Sequence, residues 1–189
     1  LVTEEVREVV SPTVLGDAAI IWVSAVTGQG LDALLDELDR LTVSATPRRD
    51  IDRPRLPIDR VFSISGFGTV VTGTLSDGRF AVGDEVEILP GGLTARVRGL
   101  QTHKTQIDEA LPGSRVAMNL GRVSAEDLER GQVICLPGTL RPTTLLDARL
   151  EVLGDASMPL QHNTALELFV GSARVMARLR LLDSDVLHP

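Results

Sequence analysis

The chain has 189 residues, room for one large domain or two small ones. Its composition, 43% apolar and 24% charged, is that of an ordinary soluble globular protein. Its longest uncharged apolar run, Ala18 to Val26, is too short to span a membrane, and no secretory signal opens the chain. The net charge of −7 argues against a uniformly basic nucleic-acid binder, yet the acidity sits at the front: residues 1 to 54 carry five basic and ten acidic side chains, residues 55 to 142 ten of each.

In chain order, Thr3 followed by Glu4 and Glu5 predicts a helix start, with a short helix to about Val10. Ala18 to Val23 is a compact apolar run between turn-forming residues, which predicts a strand buried on both faces. Leu31, Leu34, Leu35, Leu38 and Leu41 recur at three- and four-residue steps with acids between them, an amphipathic helix. Helix, buried strand and helix together form the closing unit of a parallel α/β domain. The proline-, arginine- and aspartate-rich stretch from Thr46 follows no apolar period and reads as a linker.

Beyond it, short β-branched runs alternate with turn signals such as Gly66-Phe67-Gly68, Asp77-Gly78, Pro90-Gly91-Gly92 and Pro112-Gly113, the texture of an antiparallel barrel. Predicted strands are Leu56 to Ile64, Thr69 to Leu75, Glu85 to Leu89, Thr94 to Gln101, Arg115 to Asn119 and Gln132 to Leu136, with a helical turn within Ser124 to Arg130. Three more strands are expected at Leu145 to Val152, Ala165 to Val170 and Ala173 to Leu182, too few to close a barrel. Gly66-x-Gly68-x-x-Val71 is not a dinucleotide fingerprint, because a strand follows where that motif needs a helix N-terminus. The lone Cys135 excludes an internal disulfide, fits a reducing cytoplasm, and reads as a small buried hydrophobe. His162 and His188 lack neighbours at metal spacing, so no metal site is expected.

The segment Leu56-Pro-Ile-Asp-Arg-Val-Phe-Ser-Ile-Ser-Gly-Phe-Gly-Thr-Val-Val-Thr-Gly-Thr-Leu75 resembles the opening of the second domain of elongation-factor-Tu-like GTPases. The likeness continues in order through Val82 to Ile88, Pro112 to Leu120 and Leu128 to Val133. Upstream, Val23-Ser-Ala-Val-Thr-Gly-Gln-Gly-Leu31 is similar to that family's last guanine-recognition loop, which implies Ser24 and Ala25 near the base in a complete nucleotide domain. Arg96 to His103, Asp59-Arg60, Pro159 to Thr164 and Gly171 to Leu182 resemble the selenocysteine-specific branch of the family.

The resemblance implies a mainly β chain. Residues 1–45 would be the C-terminal α/β part of a GTPase domain and 46–55 a linker. Residues 56–140 would be a domain II barrel and 143–189 the start of a domain III barrel. The start at Leu1 and end at Pro189 read as those of a segment from a longer polypeptide. The family holds the aminoacyl end of tRNA near the first strand and the turn before the fifth, which implicates Asp59, Arg60, His103 and Arg115. Selenium would face Arg60 and Arg115, with Asp59 orienting them or accepting the aminoacyl ammonium. Without the resemblance, arginines on barrel strands read as solvated or paired, and His103 as an ordinary strand histidine.

Implied partners are selenocysteinyl-tRNA and the ribosome, with a messenger hairpin read only by a C-terminal region outside this segment. GTP and magnesium are implied for the parent. No phosphate loop or magnesium motif occurs here, so the segment itself is not expected to bind or hydrolyse GTP. Unpaired strand edges in the domain III part would favour self-association. Competing readings are a general elongation or initiation factor, the GTPase subunit of sulfate adenylyltransferase, and a plain protein-interaction barrel.

Overall fold

The computed structural model describes residues 2–46 and 50–189. Pro47, Arg48 and Arg49 of the expected linker, and Leu1, lie outside the described residues. The chain divides into two compact units, residues 1–49 and 50–189.

In the first unit, α1 spans Val2–Val10 and α2 spans Leu31–Ser44. Thr3 falls inside the first turn of α1 rather than capping it. Gly30 caps α2 at φ 76°, and a Cβ there would sit 1.9 Å from the Trp22 carbonyl oxygen, so glycine is required. Ala18 to Val23 forms no strand. A lone extended segment cannot close inter-strand hydrogen bonds, and no described residue pairs with it. The leucine face of α2 is correspondingly uncovered, with Leu31, Leu35, Leu38 and Leu41 all exposed.

The second unit is β structure. Its strands are β1 (Arg55–Ile64), β2 (Gly68–Thr74), β3 (Phe80–Ala81), β4 (Glu85–Leu89), β5 (Leu93–Thr102), β6 (Thr105–Ile107), β7 (Glu109–Ala110), β8 (Arg115–Gly121) and β9 (Val133–Cys135). They are followed by β10 (Leu160–Gln161), β11 (Ala165–Val170), β12 (Ala173–Arg178) and β13 (Val186–Leu187). The order β4-β9-β1-β2-β8-β5 closes on itself through a β4–β5 pairing, giving a six-stranded antiparallel barrel. Alternate residues point inward: Leu56 and Ile58, Val71, Val86 and Ile88, Ala95 and Val97, Val116 and Met118, and Ile134 are all buried. Phe80 of β3 joins them, as do Leu75 and Leu128 from the connections. Cys135 is buried, and that burial pushes its thiol up.

Two elements depart from the sequence reading. Leu145 to Val152 is not a strand, and Leu145, Leu146 and Leu150 are exposed. The strand from Ala173 stops at Arg178 rather than Leu182. Both follow from supply of partners: among the described residues, β11 and β12 pair only with each other, and β10 only with β13. The β11–β12 turn meets the barrel, where Arg130 Nε donates to the Ser172 carbonyl at 3.2 Å.

The chain enters the barrel through a reciprocal bracket. Ile51 N donates to Asp77 Oδ1 at 2.9 Å, Gly78 N donates to Asp50 Oδ1 at 2.9 Å, and Arg55 Nη2 donates to Asp77 Oδ2 at 3.0 Å. Asp77 is 3% exposed. The hydrogen bond it shares with the Asp50 carboxyl, aided by the Ile51, Arg53 and Gly78 amides, holds its carboxyl down at about 2. A depressed folded value makes the contribution complete above the ordinary 3.8 and lost as pH falls toward 2. Asp77→Asn is therefore expected to lower the urea midpoint at pH 7, with variant and native midpoints converging as pH drops through that window.

Candidate functional site

β1 carries one more residue than its partner. Ile58 pairs with Gly73 and Arg60 with Thr72, so Asp59 is the extra residue of a β-bulge. Ile58 is buried and Val61 packs on the core, which turns both Asp59 and Arg60 to the outside of the barrel. Gly73 allows this irregularity: a Cβ there would lie 2.3 Å from the Pro57 carbonyl oxygen.

Two strands over, Arg115 opens β8, with Val116, Met118 and Leu120 inward and Arg115, Ala117 and Asn119 outward. Arg115 pairs in register with Thr74 of β2. Its Nη1 reaches across β2 and donates to Asp59 Oδ2, closing an ion pair whose side chains are 50% and 27% exposed. Arg60 is exposed, and its side chain makes no ion pair or hydrogen bond with a described residue. Three of the four sequence-derived residues thus share one outer face.

His103 arrives by a different route. With Lys104 it forms the two-residue turn between β5 and β6, at φ 49° and 65°, the left-handed backbone of a tight hairpin. Thr102 Oγ1 donates to the Arg115 carbonyl at 2.9 Å and lies 3.2 Å from His103 Nδ1. A hydroxyl has one proton to give, so with that proton on the carbonyl, the contact is completed by an Nδ1–H form of His103. His103 is therefore tied to Arg115 through the backbone and does not touch Asp59 or Arg60.

Beside the cluster lies a recess of about 490 Å³ lined by Ile64, Phe67, Val70, Gly99, Gln101 and Asn119. A second bulge, between Val97 and Gly99 of β5, opens its floor. Asn119 Nδ2 donates to the Phe67 carbonyl at 2.9 Å, while Asn119 Oδ1 is buried with no partner, as is Thr72 Oγ1. Sequence reading missed these residues. Their signal was parity, since Thr72, Ala117 and Asn119 occupy outward positions beside Arg60 and Arg115. β1, β2, β5, β6 and β8 together carry five arginines and one acid, Asp59. Arginines thus outnumber acids on these strands, although Arg55 is paired with Asp77 and Asp108 also lines the recess. Among the described residues, no group of three His, Cys, Asp or Glu side chains could hold a metal.

Ser24 belongs to a separate turn in the first unit, where Ser24 N donates to the Gln29 carbonyl and Gly28 N to the Ser24 carbonyl, both at 2.9 Å. Ala25 is exposed beside it.

Residues 68–135 match the family described as elongation factor Tu domain 2. Over its full 189 residues the chain is 42% identical to a selenocysteine-specific elongation factor of Desulfomicrobium baculatum, spanning 30% of that relative. The crystal structure of a bacterial selenocysteine-specific elongation factor superposes on 97% of the chain with a TM-score of 0.82 at 26% identity, over 30% of its own length. Over its whole length the chain is similar to selenocysteine-specific elongation factors, and its barrel is similar to elongation factor Tu domain 2. The SelB factor of Methanococcus maripaludis, solved in its apo form, matches 93% of the chain at a TM-score of 0.78 and 29% identity, over 38% of its length. The same factor with the GTP analogue GppNHp gives 0.74 at 26% identity, over 92% of the chain and 39% of its own length. The SelB likeness thus extends through both units, beyond the matched barrel.

Within the barrel, the Thr102 hydroxyl is the side-chain link between the β5–β6 turn and the Arg115 backbone. Thr102→Val is expected to cost about 1 kcal/mol, the usual net worth of such a bond, read as a lowered denaturation midpoint with unchanged slope.

Proposed function

We propose that this chain supplies the aminoacyl pocket of a selenocysteine-specific elongation factor, a GTPase that brings selenocysteinyl-tRNA to the ribosome in the cytoplasm. Residues 1–45 are read as the end of its nucleotide domain, 46–55 as a linker, 56–140 as domain II and 143–189 as part of domain III. Ser24 and Ala25 would approach the guanine of GTP once that domain is complete, with magnesium bound elsewhere in it. A messenger hairpin would be read by a region outside this segment.

The observation that carries the reading is the pairing of Asp59 with Arg115 beside an unpaired Arg60 on one outer face. A selenol is more acidic than a thiol, whose reference value is about 8.5. Near neutral pH selenocysteine is therefore largely anionic where cysteine and serine are neutral. Guanidinium groups stay charged and bind anions through charge-assisted hydrogen bonds. Arg60 and Arg115 favour the selenolate, Asp59 accepts the aminoacyl ammonium, and His103 helps hold Arg115 in place through Thr102. The aminoacyl group is esterified to the terminal nucleoside, and the adjoining recess suits that flat, part-polar group. Phe67 and Val70 supply its apolar walls; Asn119 Oδ1 and Gln101 supply polar contacts.

Arg60→Ala or Arg115→Ala in the complete factor is expected to narrow the preference for selenocysteinyl-tRNA over seryl-tRNA by roughly tenfold or more, the worth of one charge-assisted bond. Equal losses for both tRNAs count against the reading. The 189-residue chain alone is expected to give no saturable signal in a fluorescent GTP titration; micromolar affinity would contradict its assignment as the end of the nucleotide domain.

A further inference from the structure

The ion pair at the centre of the site raises a difficulty for simple anion capture. Arg115 already donates to a carboxylate, so only Arg60 of the two arginines is available to an incoming anion. The carboxylate occupying Arg115 is Asp59, and no other acid exists on β1, β2, β5, β6 or β8 to take its place. Both partners are partly exposed, which makes the bridge weak and open to exchange. Asp59 sits on the bulge directly before Arg60, so a group that engages its carboxylate stands beside Arg60 as well.

We propose that the Asp59–Arg115 bridge is an internal stand-in for the ligand, exchanged on binding: the aminoacyl ammonium takes the Asp59 carboxylate, and the anionic side chain takes the freed Arg115 beside Arg60. The inference rests on the selenolate reading above and adds an order of coupling to it. One bridge opens, and the ammonium–Asp59, anion–Arg115 and anion–Arg60 contacts form. A ligand with an ammonium but a neutral side chain, such as a seryl group, opens the bridge and leaves Arg115 without an anion. A ligand with an anion but no ammonium must displace Asp59 unaided. Only a group carrying both charges replaces everything that it disrupts, so discrimination is shared between two ends of the amino acid rather than read at selenium alone.

The test is a chemical double-mutant cycle in the complete factor, with Asp59→Asn crossed against N-acetylation of selenocysteinyl-tRNA. In the native factor, N-acetylation is expected to weaken binding by about tenfold, and in the variant most of that penalty disappears. The distinctive result is that N-acetyl-selenocysteinyl-tRNA binds the Asp59→Asn factor several-fold more tightly than the native factor, because Arg115 is no longer occupied. If the acetylated tRNA binds the variant no more tightly, Asp59 does not compete for Arg115 and the exchange is wrong. That outcome leaves the selenolate reading standing; the reading itself falls if arginine removal leaves the selenocysteine-over-serine preference intact. Asp59→Ser reads the same competition if the asparagine variant loses its native circular dichroism.

Discussion

One extra residue in β1 determines what the barrel presents to the outside. A regular strand would place Asp59 and Arg60 on opposite faces, one of them in the core. The bulge between Ile58 and Arg60 keeps Ile58 inward, brings Val61 back onto the core, and leaves two consecutive polar residues facing out. Gly73 makes the arrangement sterically feasible by offering no Cβ where the Pro57 carbonyl approaches. Asp59 can then reach across β2 to Arg115 while Arg60 stays uncommitted. Removing the bulge would cost the site its geometry without touching the hydrophobic core.

Barrel closure supplies the rigidity that such a site needs. Six strands pair around a core of alternating aliphatic residues, so the outward positions of β1, β2 and β8 are held in fixed register. The entry segment is fastened separately, by Asp50 and Asp77 gripping each other's backbone neighbours. The net charge of −7 is unevenly distributed: residues 1 to 54 carry ten acidic against five basic side chains, whereas β1, β2, β5, β6 and β8 carry five arginines and one acid.

The barrel strands were legible because alternation of period two is strong where one face is buried and the other wet. Leu56, Ile58, Val71, Val116 and Met118 each announce the inward parity. The bulge was not legible, since Ile-Asp-Arg-Val reads as alternation with one error and only the register with Gly73 and Thr72 shows which residue is extra. The Asp59–Arg115 pair spans 56 positions and depends on both strands flanking β2, a fact of topology rather than local pattern. The misjudged strands, Ala18 to Val23 and Leu145 to Val152, are apolar enough to pair but have no ladder partner among the described residues. Propensity states what a segment can do; the presence of a neighbour decides whether it does. The family resemblance carried the choice of Asp59, Arg60, His103 and Arg115, and the geometry separates the first, second and fourth, which share a face, from His103, whose side chain meets Thr102 instead.

Selenium offers its own probe of the central claim. Anomalous diffraction at the selenium absorption edge, from crystals of the complete factor with selenocysteinyl-tRNA and a non-hydrolysable GTP analogue, locates the side-chain atom without assuming any pocket. The account predicts a single peak on the outer face of β1 and β8, within about 4 Å of both the Arg60 and Arg115 guanidinium groups, with Asp59 turned away from Arg115. A peak remote from both arginines, or one beside Arg60 with the Asp59–Arg115 bridge intact, would contradict it.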